Sequence, residues 1–402
     1  MHNPYSMIFK MKGTKAFSSA GFIARMPLSM MAIGLITMMS QLYDSYWVAG
    51  SIAAVFTFTM AFSAPQLSRL IDKYGQRAVV LPATMLSVVA TLILLWLSYV
   101  QAPIWSLYTA AMIAGMMPSI PALVRARWSY VQQDPDLLNS AYSFESVLDE
   151  IAFVVGPPLS IALSTLVFPQ AGPLLAIVLF LLGSLWLVSQ SATEPKIVPS
   201  ENTVMSSALR NPLVQLLTIC LLALGVIVGA VDVLSVAFAN QHGSPLAASI
   251  VLSMYALGSC ISGFSFGALK WKVPMVDLLV RFALFTLLAS FALLGVSQVF
   301  GLALVMFVAG LAFAPTMIIA MGLVEKNVVK QQLTEGLTWL ITGLGMGIAI
   351  GAAVTGWVVE NFTVSHGFWI AIAAAGCVVL ISVVLYKGFK KNIKSERTSF
   401  VM

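Results

Sequence analysis

Charge is what this chain has least of. Only 9% of its 402 residues are Asp, Glu, Lys or Arg, against 59% that are apolar. An ordinary water-soluble domain carries roughly 25% charged residues. A fold this apolar has too little polar surface to face water on every side, which excludes a string of soluble domains. The lipid bilayer is the solvent that fits. Cysteine is scarce as well: Cys220, Cys260 and Cys377 stand far apart in apolar runs, with no CxxC or Cys/His spacing. That excludes a disulfide framework and a zinc site of the usual pattern. There is no GxxxxGK[ST] loop for a nucleotide-driven pump and no HExxH helix for an intramembrane protease. No Ser/His or paired-Asp arrangement lies at one depth across the apolar runs, so the chain is not expected to be an enzyme. No cofactor and no metal is expected either. The polar start, MHNPYSMIFKMKGTKAFSSAG, is unlike a cleavable secretory signal, because the apolar run behind it is long enough to span.

What the sequence does contain is a series of charge-free runs. Two are Met26 to Tyr43 and Ser45 to Ser68. Ala78 to Val124 is too long for one helix and is broken at Gln101-Ala102-Pro103; Ile151 to Thr193 is broken between Phe168 and Pro173. Six more lie near 213–239, 246–269, 277–297, 300–324, 334–360 and 363–386. A span needs about 20 apolar residues, so the runs predict twelve membrane helices. All 21 Lys and Arg then fall at one set of helix ends: the N-terminal side, loops 2–3, 4–5, 8–9 and 10–11, the central linker and the tail. By the positive-inside rule both termini are expected in the cytoplasm, in a bacterial inner membrane. The net charge of +6 therefore reads as topology with some contact to the lipid bilayer, and not as nucleic-acid binding.

The polar stretch from Glu194 to Asn211 divides the runs into two sets of six. The expected organisation is a cytoplasmic segment 1–15, a first six-helix bundle 16–191, a linker 192–212, a second bundle 213–387 and a tail 388–402. Echoes at an offset of about 197 residues support a duplication: Gly115 and Pro118 against Gly310 and Pro315, and Ala49-Gly50-Ser51-Ile52 against Ala247-Ala248-Ser249-Ile250. Mid-span prolines free a backbone carbonyl and bend the helix, which suits helices lining a cavity.

The most specific motif lies between spans 2 and 3: Ser68-Arg69-Leu70-Ile71-Asp72-Lys73-Tyr74-Gly75-Gln76-Arg77. It resembles the G-x-L-a-D-r-x-G-r-r loop of the major facilitator superfamily, with Asp72, Gly75 and Arg77 on the acid, the glycine and the final base. Ser68 stands for the opening glycine and Gln76 for a base. In span 5, Val154-Val155-Gly156-Pro157-Pro158-Leu159 is similar to the G-P core of the motif found in proton-driven antiporters of that superfamily. Ala122 to Trp128, Glu145 to Glu150, Gly229 to Asp232, Gly263 to Ala268 and Thr334 to Trp339 look like a branch of bacterial drug or metabolite exporters. The resemblance implies an all-α membrane protein of twelve helices, two six-helix bundles related by a pseudo-two-fold repeat. It also implies alternating access, with the loop after span 2 locking the halves in the outward-facing state, and a cavity lined mainly by spans 1, 4, 7 and 10.

Ionisable residues inside spans are the best functional pointers, since each costs about 2.5–3.5 kcal/mol at the bilayer centre on insertion scales. With span 5 starting near Asn139, Glu145 sits about 9 Å in and Glu150 about 16 Å in. Glu145 and Asp149 share a face at i, i+4. Arg25 is the nearby base within the membrane and is expected to pair with Asp149 or Glu150. Asp232 stands alone in the outer half of span 7. Desolvation penalises a charged carboxyl, which suits a reversible proton carrier. Asp232, Glu150, Asp149, Glu145 and Arg25 are therefore the candidate coupling and gating residues. Glu335 reads as a favourable charge at a helix start, and His242 and His366 as solvated turn residues. Gly343, Gly347 and Gly351, and likewise Gly263 and Gly267, read as close-packing ridges. Met112 and Met116, with Tyr255 and Trp339, are candidates for an adaptable substrate wall.

Together these point to a monomeric secondary transporter, exporting a small amphipathic molecule or metabolite in exchange for protons. Proton-coupled uptake is the alternative, and a non-transporting sensor or scaffold a remote one. Asp72→Asn is expected to impair cycling while leaving substrate binding nearly intact, since the loop lies outside any midplane cavity. An affinity loss of about tenfold, about 1.4 kcal/mol, in equilibrium binding would contradict the assignment of this loop.

Overall fold

The computed structural model describes residues 7–196, 208–268, 273–328 and 330–399; at 72, 135–136, 139, 143, 150, 267–268, 330–335, 389 and 391–399 it describes the backbone only. Among the described residues the regular structure is entirely helical. In chain order the helices are α1 (Thr14–Arg25), α2 (Pro27–Tyr43), α3 (Tyr46–Tyr74), α4 (Gln76–Tyr99), α5 (Ile104–Ala114), α6 (Ile120–Val131), α7 (Pro135–Leu166) and α8 (Ala171–Ser189). They continue with α9 (Pro212–Gln241), α10 (Ala247–Ala268), α11 (Met275–Ala292), α12 (Val299–Asn327), α13 (Lys330–Asn361) and α14 (Val364–Ser399). Eleven helical segments are long and apolar enough to cross a membrane, counting α1 and α2 as the single segment Thr14–Tyr43. The expected fourth span is the exception. Its apolar helix α5 is short, and α6 resumes it only after a non-helical stretch from Gly115 to Ser119.

The departures from the expected boundaries have local causes. Span 1 begins at Thr14 and not at Met26, and it is interrupted where Pro27 has no N–H to offer the carbonyl one turn back. Met26 N bonds Ile23 O at 3.4 Å, and Pro27 opens α2. Arg25 therefore ends a helix turn inside the segment. The membrane-length part of α7 is Ser140–Leu166, as expected near Asn139, and the helix itself begins earlier, at Pro135: Asp134 Oδ1 accepts from Leu137 N at 3.3 Å. An Asp cap followed by proline at the first helical position is a strong helix start. Glu145 thus lies about 15 Å along α7 from the helix start.

The chain forms two compact units, residues 1–203 and 204–402. In the first, α1 packs on α8, α2 on α3, α7 and α8, and α3 on α5. In the second, α9 packs on α13 and α14, α10 on α12, and α11 on α12 and α14. The glycines that echo one another in the sequence make the same crossing in each unit. A Cβ on Gly115 would come within 2.5 Å of Phe56 O, and one on Gly310 within 2.1 Å of Tyr255 O. The tightest seam joins α9 to α13. Gly225 and Gly229 face the α13 backbone, while Gly343, Gly347 and Gly351 face the α9 backbone. Without Cβ atoms in the way, two helices in lipid gain dispersion contact along their whole length.

A Cβ on Gly347 would sit 2.0 Å from Leu222 O, whereas one on Gly376 would meet nothing within 4 Å. Gly347→Ala is therefore expected to lower thermal stability in detergent by an amount at or above the upper end of the roughly 1–3 kcal/mol range for overpacking. Gly376→Ala is expected to change little. Equal melting temperatures would show that the seam yields.

Candidate functional site

The structure brings three of the sequence-predicted charges together where α1, α6 and α7 meet. Arg25 is 1% exposed and Glu145 0%. Arg25 Nη2 forms an ion pair with Glu145 Oε2. Its Nη1 reaches Asp149 Oδ1 at 2.8 Å and Glu145 O at 3.1 Å, and its Nε donates to Gly21 O at 3.2 Å. The other oxygen of Glu145 accepts from Ser18 Oγ at 2.6 Å and Trp128 Nε1 at 2.9 Å. Asp149 is only part-buried and accepts Arg125 Nη2 on its outer oxygen at 2.7 Å. The result is an alternating chain of charges, Glu145, Arg25, Asp149 and Arg125, running from a dry end to a wet one. Phe17 and Phe9 stack edge-on against Trp128 at 4.8 and 5.9 Å and close the dry end. Both Glu145 oxygens face donors, so its geometry is that of a fixed anion. Asp149, near water and shared by two guanidiniums, is the member able to exchange partners.

A second polar cluster holds the loop after α3. Gly75 adopts φ 89°, a left-handed value that favours glycine, and Gly75 N bonds Ile71 O at 2.8 Å. Gln76 is buried: its Oε1 accepts from Arg127 Nε at 2.7 Å and its Nε2 donates to Leu123 O at 3.3 Å. Arg127 Nη1 goes on to Gln190 O at 2.8 Å and Thr193 Oγ1 at 2.9 Å. Glu194 Oε1 accepts from Arg77 N at 2.9 Å, a carboxylate placed at the start of α4. Burial pushes the Arg127 guanidinium down to about 10, and the Glu194 charge opposes that shift. Gln76 is thus no simple loss of a base. A second cation there would face Arg127, whereas the amide both accepts and donates. The side chains of Asp72 and Glu150 lie outside the described residues, as does that of Glu335.

Asp232, Tyr255 and Trp339 belong to the second unit. Asp232 is half-buried on α9 between buried Val231 and Val233, and among the described residues it forms no ion pair. The Tyr255 ring on α10 lies 6.1 Å from Phe313. Trp339 is half-buried on α13. Met112 and Met116 are 50% and 41% exposed, whereas Met117 is buried. His242 is not merely solvated: its ring nitrogens lie 2.9 Å from Phe238 O and 3.0 Å from Ser297 O. Among the described residues, no three His, Cys, Asp or Glu side chains gather as a metal site would need.

Ser18, Trp128, Arg125, Gln76 and Arg127 are the participants that the sequence reading passed over. Arg125 and Arg127 were accounted for as topology charges at a helix end. The signal available was Arg125-Ala126-Arg127-Trp128 itself: bases at i and i+2 point to different sides of a helix. One turns to α7 and the other to the loop before α4.

Helices that span, glycine-packed units and charges held at helix ends define a multi-pass membrane transporter built from two six-helix units. The sequence profile of the Major Facilitator Superfamily matches residues 17–328 and 234–400. The chain belongs to that family. No curated protein matches it. Among solved structures it is similar to the nucleoside transporter NupG, at 16% identity and TM-score 0.71 over 94% of this chain and 100% of that one. A single-substitution variant of NupG matches at 16% and 0.73, over 93% and 99%. A bacterial homologue of the iron transporter ferroportin, in its inward-facing state, matches at 13% and 0.70, over 92% and 97%. Identities this low speak to the fold.

Replacing Glu145 with Gln takes the buried anion from Arg25 and leaves it only the part-buried Asp149. We expect a loss of about 3–5 kcal/mol, the usual cost of breaking a buried pair, read as a fall in melting temperature and yield. Asp149→Asn, at the wet end, should cost at most about 1 kcal/mol. If the two variants melt together, the pair is not the anchor its burial indicates.

Proposed function

We propose that this transporter couples export of a small amphipathic molecule or metabolite to proton entry by alternating access, working as a monomer in the inner membrane with both termini cytoplasmic. The observation that carries the proton coupling is Asp232: a half-buried carboxyl within an apolar helix, with no ion-pair partner among the described residues. A carboxyl so placed has no cation to hold it charged, so its protonation can follow the water it meets. Protonated, it is neutral and compatible with an apolar path; deprotonated, it attracts a cationic or hydrogen-bonding substrate. Proton and substrate then compete for one group, which is antiport. In this reading Asp149 passes the proton to the cytoplasm at the wet end of its cluster, while Arg25 and Glu145 keep α1 and α7 in register. The similarity of Val154 to Leu159 to the antiporter motif supports exchange, and Gly156 there packs hard on Ser29.

Uptake with protons is the second reading, favoured by the likeness to a structure described as a nucleoside transporter. The direction of the pH gradient that drives accumulation in vesicles separates the two. Asp232→Asn is expected to abolish gradient-driven flux while substrate counterflow persists. Wild-type gradient-driven flux in that variant would remove Asp232 from the coupling path.

A further inference from the structure

Among the bases that the sequence places at helix ends, one in the second unit has a setting that the proposed transport path does not use. Arg281 lies six residues into α11, about 9 Å from the helix start at Met275. It is exposed, and among the described residues no carboxylate comes within ion-pair distance. Asp277, one turn earlier on the same helix, is not paired with it, and Asp232, Glu325 and Glu360 make no ion pair with it either. A guanidinium beside an apolar helix face is favoured where it reaches an anion or the headgroup level.

Arg281 edges a groove of about 430 Å³. Leu311 and Pro315 of α12 line its floor, because α10 and α11 both lean on α12. Phe266 and Phe282, edge-on at 5.8 Å, and Phe285 line the walls. Ser265 Oγ donates back to Ile261 O at 2.8 Å, so it adds no positive charge. The groove opens beside a strip of exposed apolar side chains on α11: Phe285 is 37% exposed and Leu288 69%. That strip belongs to the surface covered by acyl chains.

We propose that this groove binds one acidic phospholipid, its phosphate paired with Arg281 and an acyl chain laid against Phe282, Phe285 and the Pro315 floor. The guanidinium fork fits two phosphate oxygens at once, and an anionic headgroup supplies the counter-charge that the described residues lack. Charge and shape complement each other: one cation at the mouth, apolar walls below it, and an open side toward lipid.

The test uses the full chain purified in detergent, with phosphatidylglycerol, phosphatidylcholine or inorganic phosphate added. Melting temperature and lipid retained in native mass spectrometry are the readouts. The expected result is a higher melting temperature and a retained lipid with phosphatidylglycerol, little effect from phosphatidylcholine, and none from phosphate alone. Arg281→Gln should lose the preference for phosphatidylglycerol over phosphatidylcholine, and Arg281→Lys should keep part of it. Ser265→Trp, which fills the groove and leaves the charge, should lose the retained lipid. The proposal fails if Arg281→Gln keeps the wild-type preference, if Ser265→Trp retains lipid as the wild type does, or if phosphate alone reproduces the shift. Should Arg281→Gln not fold, Ser265→Trp decides the matter.

Discussion

A guanidinium enclosed by apolar helices must find an anion, and the first unit is arranged around that requirement. Arg25 ends a helix turn because Pro27 interrupts the segment, and at that break it meets Glu145 and Asp149. Removing two charges from water costs several kcal/mol per ion before their attraction offsets it. Such a pair is weak evidence for net stability. Its effect is on geometry: only one placement of α1 against α7 lets Ser18, Trp128 and Arg25 all reach the same carboxylate. Register and rotation of three helices follow from that single acceptor set.

The charges of this network all belong to residues 1–203, and so do those that hold the loop after α3. They stiffen one unit from within. The second unit solves the same packing problem with almost no charge. Its α9 and α13 meet through glycines that let backbone lie on backbone, where dispersion does what ion pairs do in the first unit. One consequence is that Asp232 has no built-in cation. A carboxyl left so has its protonation set by water and ligands, which is the property a coupling group needs. The two units thus share a crossing at Gly115 and Gly310 but diverge in where their polar groups are committed.

The span series, the one-sided distribution of bases, the duplication and the family were all legible in the order of residues. Each is a property that the bilayer imposes on the chain locally: about 20 apolar residues per crossing, bases kept to one side, glycine where helices touch. None needs knowledge of which helix neighbours which. Gly75 was readable for the same reason, since a positive φ at a tight turn is a local demand.

Partner choice was a different matter. Arg125 and Arg127, two residues apart, look alike as loop charges, yet one meets Asp149 and the other Gln76. Helix α7 extends about a turn beyond the start of its span because Asp134-Pro135 caps it there. Glu145 was credited as one of several acids in span 5, and only the fold made it the most buried, with its donors drawn from α1 and α6. Composition and period determine that a chain carries helices long and apolar enough to enter a membrane. They do not determine which donor meets which acceptor, because that depends on helices far apart in sequence arriving at one depth and one rotation, which packing alone decides.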